Sequence, residues 1–147
     1  MGRKKRRSCE ECGARTTQAG SLCSSCYSYR DHATYFRCKE GFIKGRCKRL
    51  GLRFDLPRGY LYSLLEAQEG RCALTGEMLK IPEKRRRHRS PNLVSVDRIN
   101  PKEGYVVGNV RLTTLQANQA RGPWDDARLL ELARMIVRRI DGSQPVD

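Results

Sequence analysis

Acidic residues, aromatics and long apolar runs are all scarce in this chain, and each shortage excludes something. Thirty lysines and arginines face only 16 aspartates and glutamates over 147 residues, a net charge of +14. An excess of that size predicts binding to a polyanion, with nucleic acid first and an anionic membrane surface as the weaker alternative. No apolar run is long enough to span a bilayer. Met1-Gly2-Arg3-Lys4-Lys5-Arg6-Arg7 opens the chain without the apolar segment of a signal peptide. No membrane partner is therefore expected. With 38% apolar and 7% aromatic residues, the chain has enough for one small core, either a compact domain or a small domain with an appended module. No internal repeat or long linker divides it. Histidine is nearly absent, with His32 and His88 the two present.

Cysteine is the exception. Seven are present, and an odd number without a secretory signal points to metal rather than to disulfides. Cys9-Glu10-Glu11-Cys12-Gly13 and Cys23-Ser24-Ser25-Cys26 are two C-x-x-C pairs. Each pair offers two thiolates from one tight turn, and Cys9, Cys12, Cys23 and Cys26 together complete a closed tetrahedral zinc site. Such a site is structural, because no ligand position stays open, and in a chain with a small core its zinc contributes folding free energy. Two chance pairs or a redox dithiol are the competing readings. Tyr27, Tyr29 and Arg30 follow, suited either to bases and phosphate or to packing on the zinc module. Cys38 and Cys47 lack ligand spacing and read as small apolar or free thiols. His32 reads as a surface or packing residue.

Basic clusters frame the chain. Arg3, Lys4, Lys5, Arg6 and Arg7 form an unbroken run, which is a solvated tail, a phosphate-binding arm, or both. Lys80 to Arg89 is a second run, with Lys80, Lys84, Arg85, Arg86, Arg87 and Arg89 against Glu83. Non-specific phosphate contact is the commoner use of such a loop, and reading a guanine edge the rarer one.

Between them and the C-terminus, the composition alternates. Ser95-Val96-Asp97-Arg98-Ile99 predicts a strand, and Asn100-Pro101-Lys102-Glu103-Gly104 has turn chemistry. Val106 to Leu112 carries β-branched residues and predicts a returning strand. Leu115 to Arg121 is helix-compatible and stops before Gly122-Pro123. A hairpin followed by a helix can bring Asp97 and Asn118 together. A carboxylate and an amide carbonyl are hard oxygen donors of the kind Mg²⁺ accepts, and one such ion can polarise a phosphodiester.

At these residues the chain resembles the HNH, or ββα-metal, endonucleases, and most of all the phage and restriction members with a D-R-I, G-Y, G-N and N pattern. The resemblance spans Cys72 to about Arg121, with Gly51-Leu-Arg-Phe-Asp-Leu and Gly70-Arg-Cys-Ala-Leu-Thr-Gly76 as a lead-in. It implies a metal-dependent DNA endonuclease or nickase leaving 5′-phosphate and 3′-hydroxyl ends. It places Mg²⁺ or Mn²⁺ on Asp97 and Asn118 and gives Asn109 the role of fixing the hairpin. The chain departs from the pattern where the family's histidine base normally stands: Arg98 is there. A guanidinium stays charged at any working pH and cannot accept a proton, but it can clamp the scissile phosphate. Tyr105 becomes the first candidate base, since a tyrosine is thought to serve in some restriction relatives with this spacing. A free tyrosine has pKa about 10, so on the order of one in a thousand is ionised at neutral pH, and neighbouring cations favour the ionised form. His88 is the runner-up, with an intrinsic pKa better suited to the task. Many relatives carry a second zinc site here. This chain has Thr75, Thr113, Thr114 and Gln116 at the partner positions, so that zinc is not expected and Cys72 reads as buried and structural.

The flanks predict helices. Residues 33 to 50 form a basic one, weakened by Gly41 and Gly45, in which Lys39, Lys44, Arg46, Lys48 and Arg49 offer a positive face. Asp55 and Pro57 are placed to open the next, with Tyr60, Leu61, Leu64 and Leu65 on its core side. Pro123-Trp124-Asp125-Asp126 starts the last, whose apolar face is Leu129, Leu132, Ala133, Ile136 and Ile140, with Trp124 as a core or staple residue. The fold class expected is α+β: a small ββα-metal nuclease core with flanking helices and an N-terminal four-cysteine zinc module. Its parts are 1–30, 31–70, 71–122 and 123–147. The leading function is a DNA endonuclease. The alternative is a catalytically inactive relative that binds nucleic acid as a regulator or packaging component, and an RNA-binding zinc protein is third. DNA is the expected partner, and a homodimer and a phage packaging or host protein remain open. The resemblance implies a cytoplasmic setting in a bacterial or phage-infected cell. Target sequence, oligomeric state and single- versus double-strand cutting leave no mark in the sequence.

Overall fold

A computed structural model describes residues 7–10, 15–16, 22, 27–28, 30–83 and 90–142. The chain is α+β. In order it runs β1 (Arg7–Ser8), β2 (Arg15–Thr16), α1 (His32–Leu50), β3 (Phe54–Asp55), α2 (Tyr60–Ala67), β4 (Val94–Arg98), β5 (Tyr105–Val106), β6 (Val110–Thr114), α3 (Leu115–Arg121) and α4 (Asp126–Asp141). The strands pair in twos: β1 with β2 antiparallel, β3 with β5 parallel, and β4 with β6 antiparallel.

The predicted first helix forms, and its glycines do not break it because its ends are well defined. Asp31 accepts the Thr34 N–H at 2.7 Å and the Thr34 hydroxyl at 2.9 Å, satisfying donors that a helix start leaves free. Gly51 closes the helix in the left-handed region at φ 65°. Phe36, Ile43 and Cys47 face the core against Leu61 and Leu65 of α2 and Val94, Val110, Leu112 and Ala117 of the hairpin and α3. Phe36, Leu61 and Leu112 are completely buried, so truncating any of them to alanine would cost about 2–5 kcal/mol.

The second helix does not begin at Asp55 and Pro57. Phe54 and Asp55 are extended and lie beside Tyr105 and Val106, with the Tyr105 N–H donating to the Arg53 carbonyl at 2.9 Å. Gly104 permits that approach, since a Cβ there would overlap the Arg53 carbonyl. Helix α2 starts at Tyr60 after Gly59, whose φ is 85°. Its free amides are taken from outside: Glu40 of α1, itself buried, accepts from Gly59 N–H and Leu61 N–H at 2.9 Å each.

The hairpin forms with two adjustments. Strand β4 starts one residue earlier than predicted, and the returning strand breaks at Gly108 (φ 84°) into β5 and β6. Gln68 and Ala73 cover the outer edge of β6. The Gln68 amide donates to the Leu112 carbonyl at 2.8 Å and accepts the Leu112 N–H at 2.9 Å, as a neighbouring strand would. Helix α3 occupies the predicted residues, capped by the Thr114 hydroxyl, which accepts from Ala117 N–H.

The last helix forms after its N-cap Asp125. The expectation of a core role for its apolar face and for Trp124 is not met. No residue of α4 is buried; Leu132, Ile136 and Ile140 are among its exposed side chains, and Trp124 is 60% exposed. The helix is held by polar contacts at its first turn, described below, rather than by its hydrocarbon. Among the described residues no helix is long and apolar enough to cross a membrane.

Candidate functional site

Register puts the acidic candidate in place. In the β4–β6 ladder Asp97 stands opposite Arg111, and β4 also carries Ser95 and Arg98. Helix α3 packs back on β4, so the Asn118 amide nitrogen donates to the Ser95 hydroxyl at 2.7 Å. That contact leaves the Asn118 carbonyl oxygen as the end not engaged by Ser95. Asp97, Arg98, Tyr105 and Asn118 line one cleft of about 490 Å³. Its opposite wall is α1, through Lys39, Phe42, Ile43 and Arg46.

Asp97 is 3% exposed and is held by two arginines. Arg111 Nε reaches its Oδ2 at 2.9 Å, while Arg121 Nε and Nη2 reach Oδ2 and Oδ1 at 3.1 and 2.6 Å. Arg121, also buried, donates further to the carbonyls of Arg98 (2.5 Å) and Trp124. Arg111 continues to Asp126 of α4 through a two-pronged pair at 2.6 and 2.5 Å. These hydrogen bonds from Arg111 hold the Asp126 carboxyl below its ordinary value against partial burial, and the same bonds raise Arg111. The four side chains, two of each sign, form a neutral chain from α3 through the hairpin to α4.

A divalent ion can be tested against this donor set. A carboxylate offers about four lone-pair sites, and the arginines occupy three of them. One site on Oδ1 remains, and the Asn118 carbonyl oxygen supplies a second hard donor, a combination suited to Mg²⁺ or Mn²⁺. The neighbouring guanidiniums oppose the added charge. By donor chemistry these two residues would suit such an ion, which would have to share Asp97 with the two arginines.

Arg98 places its guanidinium carbon 5.2 Å from the centre of the Tyr105 ring and donates to the Glu103 carbonyl at 3.3 Å. Tyr105 is half-buried. Lys39 stands 5.9 Å from the Tyr35 ring centre, and burial pushes its ammonium down from the ordinary lysine value. Among the described residues, neither Lys39, Arg46 nor Arg98 has a carboxylate within ion-pairing distance. With Asp97 already neutralised, the cleft is a positive one.

Asn109, to which the resemblance gives the role of fixing the hairpin, is bonded within it. Its amide donates to the carbonyls of Asn100 (3.1 Å) and Gly104 (2.9 Å) and accepts the Asn100 N–H at 2.8 Å. Every bond closes the 100–104 turn that sets Tyr105 beside Arg98. Cys72 is buried, as expected. Its Sγ accepts the Thr114 N–H at 3.2 Å and lies 3.9 Å from the Thr114 hydroxyl. Burial would raise its thiol, but the Thr75 hydroxyl and the N–H groups of Thr114, Leu74 and Thr75 together bring it below its usual value.

Several candidates lie outside the described residues: His88, Arg85, Arg86, Arg87, Arg89, Arg3, Lys4, Lys5, Arg6 and the zinc candidates Cys12 and Cys23 and Cys26. Arg7 is described by its backbone alone, in β1. Cys9 is buried and follows β1, and the antiparallel β1–β2 pair brackets the first cysteine pair in sequence. Among the described residues no three His, Cys, Asp or Glu side chains cluster as metal ligands.

The arginines and Asp126 were missed in the sequence because their partners are 14 to 24 positions away and no local pattern marks such pairs. Lys39 and Arg46 were visible only as part of a basic face.

No protein-family model matches the chain, and no curated protein matches it. Among solved structures it is similar to one titled "An extraordinary mechanism of DNA perturbation exhibited by the rare-cutting HNH restriction endonuclease PacI". That similarity has 14% identity and a TM-score of 0.49, covering 92% of this chain and 96% of that one.

Proposed function

We propose that this chain is a metal-dependent DNA endonuclease or nickase of the HNH type, with Tyr105 in place of the usual histidine base. One observation carries the reading: Asp97, Arg98, Tyr105 and Asn118, spread over 22 positions of sequence from 97 to 118, line a single positive cleft. In the proposed reaction, Arg98 holds the non-bridging oxygens of the scissile phosphate as a forked donor. Lys39 and Arg46 hold phosphates of the same strand from the opposite wall. Tyr105, acting as the base, takes a proton from water; the water oxygen bonds to phosphorus as the P–O bond to the leaving 3′ oxygen breaks, and that oxygen takes up a proton from solvent. What Mg²⁺ or Mn²⁺ supplies, when bound at Asp97 and Asn118, is positive charge at that leaving oxygen. Asn109 acts through the turn it closes. The four-thiolate zinc on Cys9, Cys12, Cys23 and Cys26 completes the proposal as a structural element, and the two basic runs extend the DNA contact.

A second reading has its own support. Asp97 is already satisfied by Arg111 and Arg121, as in a protein that binds nucleic acid without cutting it. Supercoiled plasmid with Mg²⁺ or Mn²⁺ separates the two. Nicking by wild type that is lost in Asn118→Ala supports the nuclease; tight, salt-sensitive DNA binding without nicking under either metal selects the non-catalytic protein. Asn118 is the better probe, because replacing Asp97 also strands two arginines. A tyrosine base makes the rate climb toward alkaline pH, whereas a profile levelling near pH ~6.5 and lost in His88→Ala identifies the histidine.

A further inference from the structure

Beside the cleft lies a second recess, of about 730 Å³, and the two share Pro101 and Pro123 as a common wall. Trp124, Pro123 and Ile99 give it apolar surface; Lys102 and Arg128 stand at its polar edge. Trp124 is the one tryptophan of the chain and is 60% exposed. Its backbone is fixed on both sides. The Trp124 N–H donates to the Arg121 carbonyl at 3.3 Å, and its own carbonyl accepts from Arg121 Nη1. Next to it, the Asp125 carboxylate caps α4 by accepting the Arg128 N–H at 2.9 Å. A large ring is therefore presented to solvent from a rigid base, with hydrocarbon around it.

We propose that this recess holds one unpaired base of a DNA strand, stacked on Trp124, next to the phosphate gripped in the adjoining cleft. The inference rests on the nucleic-acid reading of that cleft and adds to it the form of the substrate. Continuity at Pro101 and Pro123 gives a strand a path from one recess to the other. The indole face accepts any base, and Lys102, which has no ion-pair partner among the described residues, suits the flanking phosphate. Arg128 is a weaker contributor, being already paired with Glu131 at 2.5 Å. Asp125 also lines the recess, and its carboxylate would repel a phosphate brought near it. A base inside a duplex has both faces covered by its neighbours, so the recess selects a base that is unpaired or drawn out of the stack.

A single tryptophan makes the test specific. The full chain is titrated, without divalent metal, with a fluorescently labelled single-stranded oligonucleotide and with the matching duplex. Label anisotropy and tryptophan emission are read in the same samples. Single-strand binding should change the emission more than duplex binding does. Trp124→Ala should weaken single-strand binding about ten-fold or more, the size of one base–aromatic stack, and more than it weakens duplex binding, while Trp124→Phe retains most of the preference. Binding seen by anisotropy with silent emission, or equal losses for both DNA forms in Trp124→Ala, overturns this site and leaves the cleft intact. No binding of either oligonucleotide overturns both, by removing the nucleic-acid reading beneath it.

Discussion

At the residue scale, the proposed metal site would give Asp97 two duties that conflict. Its carboxylate anchors Arg111 and Arg121, and it is also the acid of the proposed metal site. Removing one member of a buried pair leaves the other charge uncompensated, so Arg121→Ala should destabilise the fold by about 3–5 kcal/mol in thermal or denaturant unfolding. The loss includes the donors to the Arg98 and Trp124 carbonyls. Cys72→Ala should cost about 1–3 kcal/mol by stranding the Thr114 N–H. The places of Asp97 on a strand and Asn118 on a helix were legible because turn residues and β-branched runs mark a hairpin and a helix; Tyr105 was singled out only by the resemblance. Their neighbours were not. Arg121 reads as an ordinary basic residue at a helix end, and only folding shows it buried against a carboxylate 24 positions away.

Elements with local caps were legible, and elements capped by distant residues were not. Asp31 and Gly51 bound α1, and Thr114 bounds α3. The start of α2 was misplaced because its cap is Glu40, on another helix. Glu40→Ala should thus lower stability by about 1–3 kcal/mol, since two amides lose their acceptor. Helix α4 shows the same limit from the other side: its apolar periodicity was real, but burial depends on what lies opposite, and its anchor is the Arg111–Asp126 pair. That pair carries a pH dependence. Hydrogen bonds from Arg111 depress the folded Asp126 carboxyl, so its stabilisation is fully present above the ordinary carboxylate range near pH ~4 and is lost as pH falls through the lower folded value. Asp126→Asn should remove that part of the acid-side decline in a Tm-versus-pH series.

For the whole molecule, net charge points to the proposed partner and cysteine spacing to the proposed zinc. A chain with net charge +14 should bind DNA with a steep salt dependence. If Lys39 and Arg46 each meet a phosphate, the double alanine variant should flatten the slope of log K against log salt by roughly two. Chelation that removes one zinc per chain should release the four thiolates to a thiol reagent and lower the Tm, because a bound structural zinc contributes folding free energy. Net charge and cysteine spacing were readable at once; the enclosure of the cleft by α1 was not, since it depends on Phe36, Ile43 and Cys47 finding the hairpin core. The most direct measurement of the central claim is single-turnover nicking of supercoiled plasmid by wild type and by Tyr105→Phe, in Mg²⁺ or Mn²⁺, with equal folding of the two proteins checked by circular dichroism. Losing a base that works in the transition state should slow the cut about 10²-fold or more. Equal rates for the two proteins, or no cut by wild type in either metal, would contradict it.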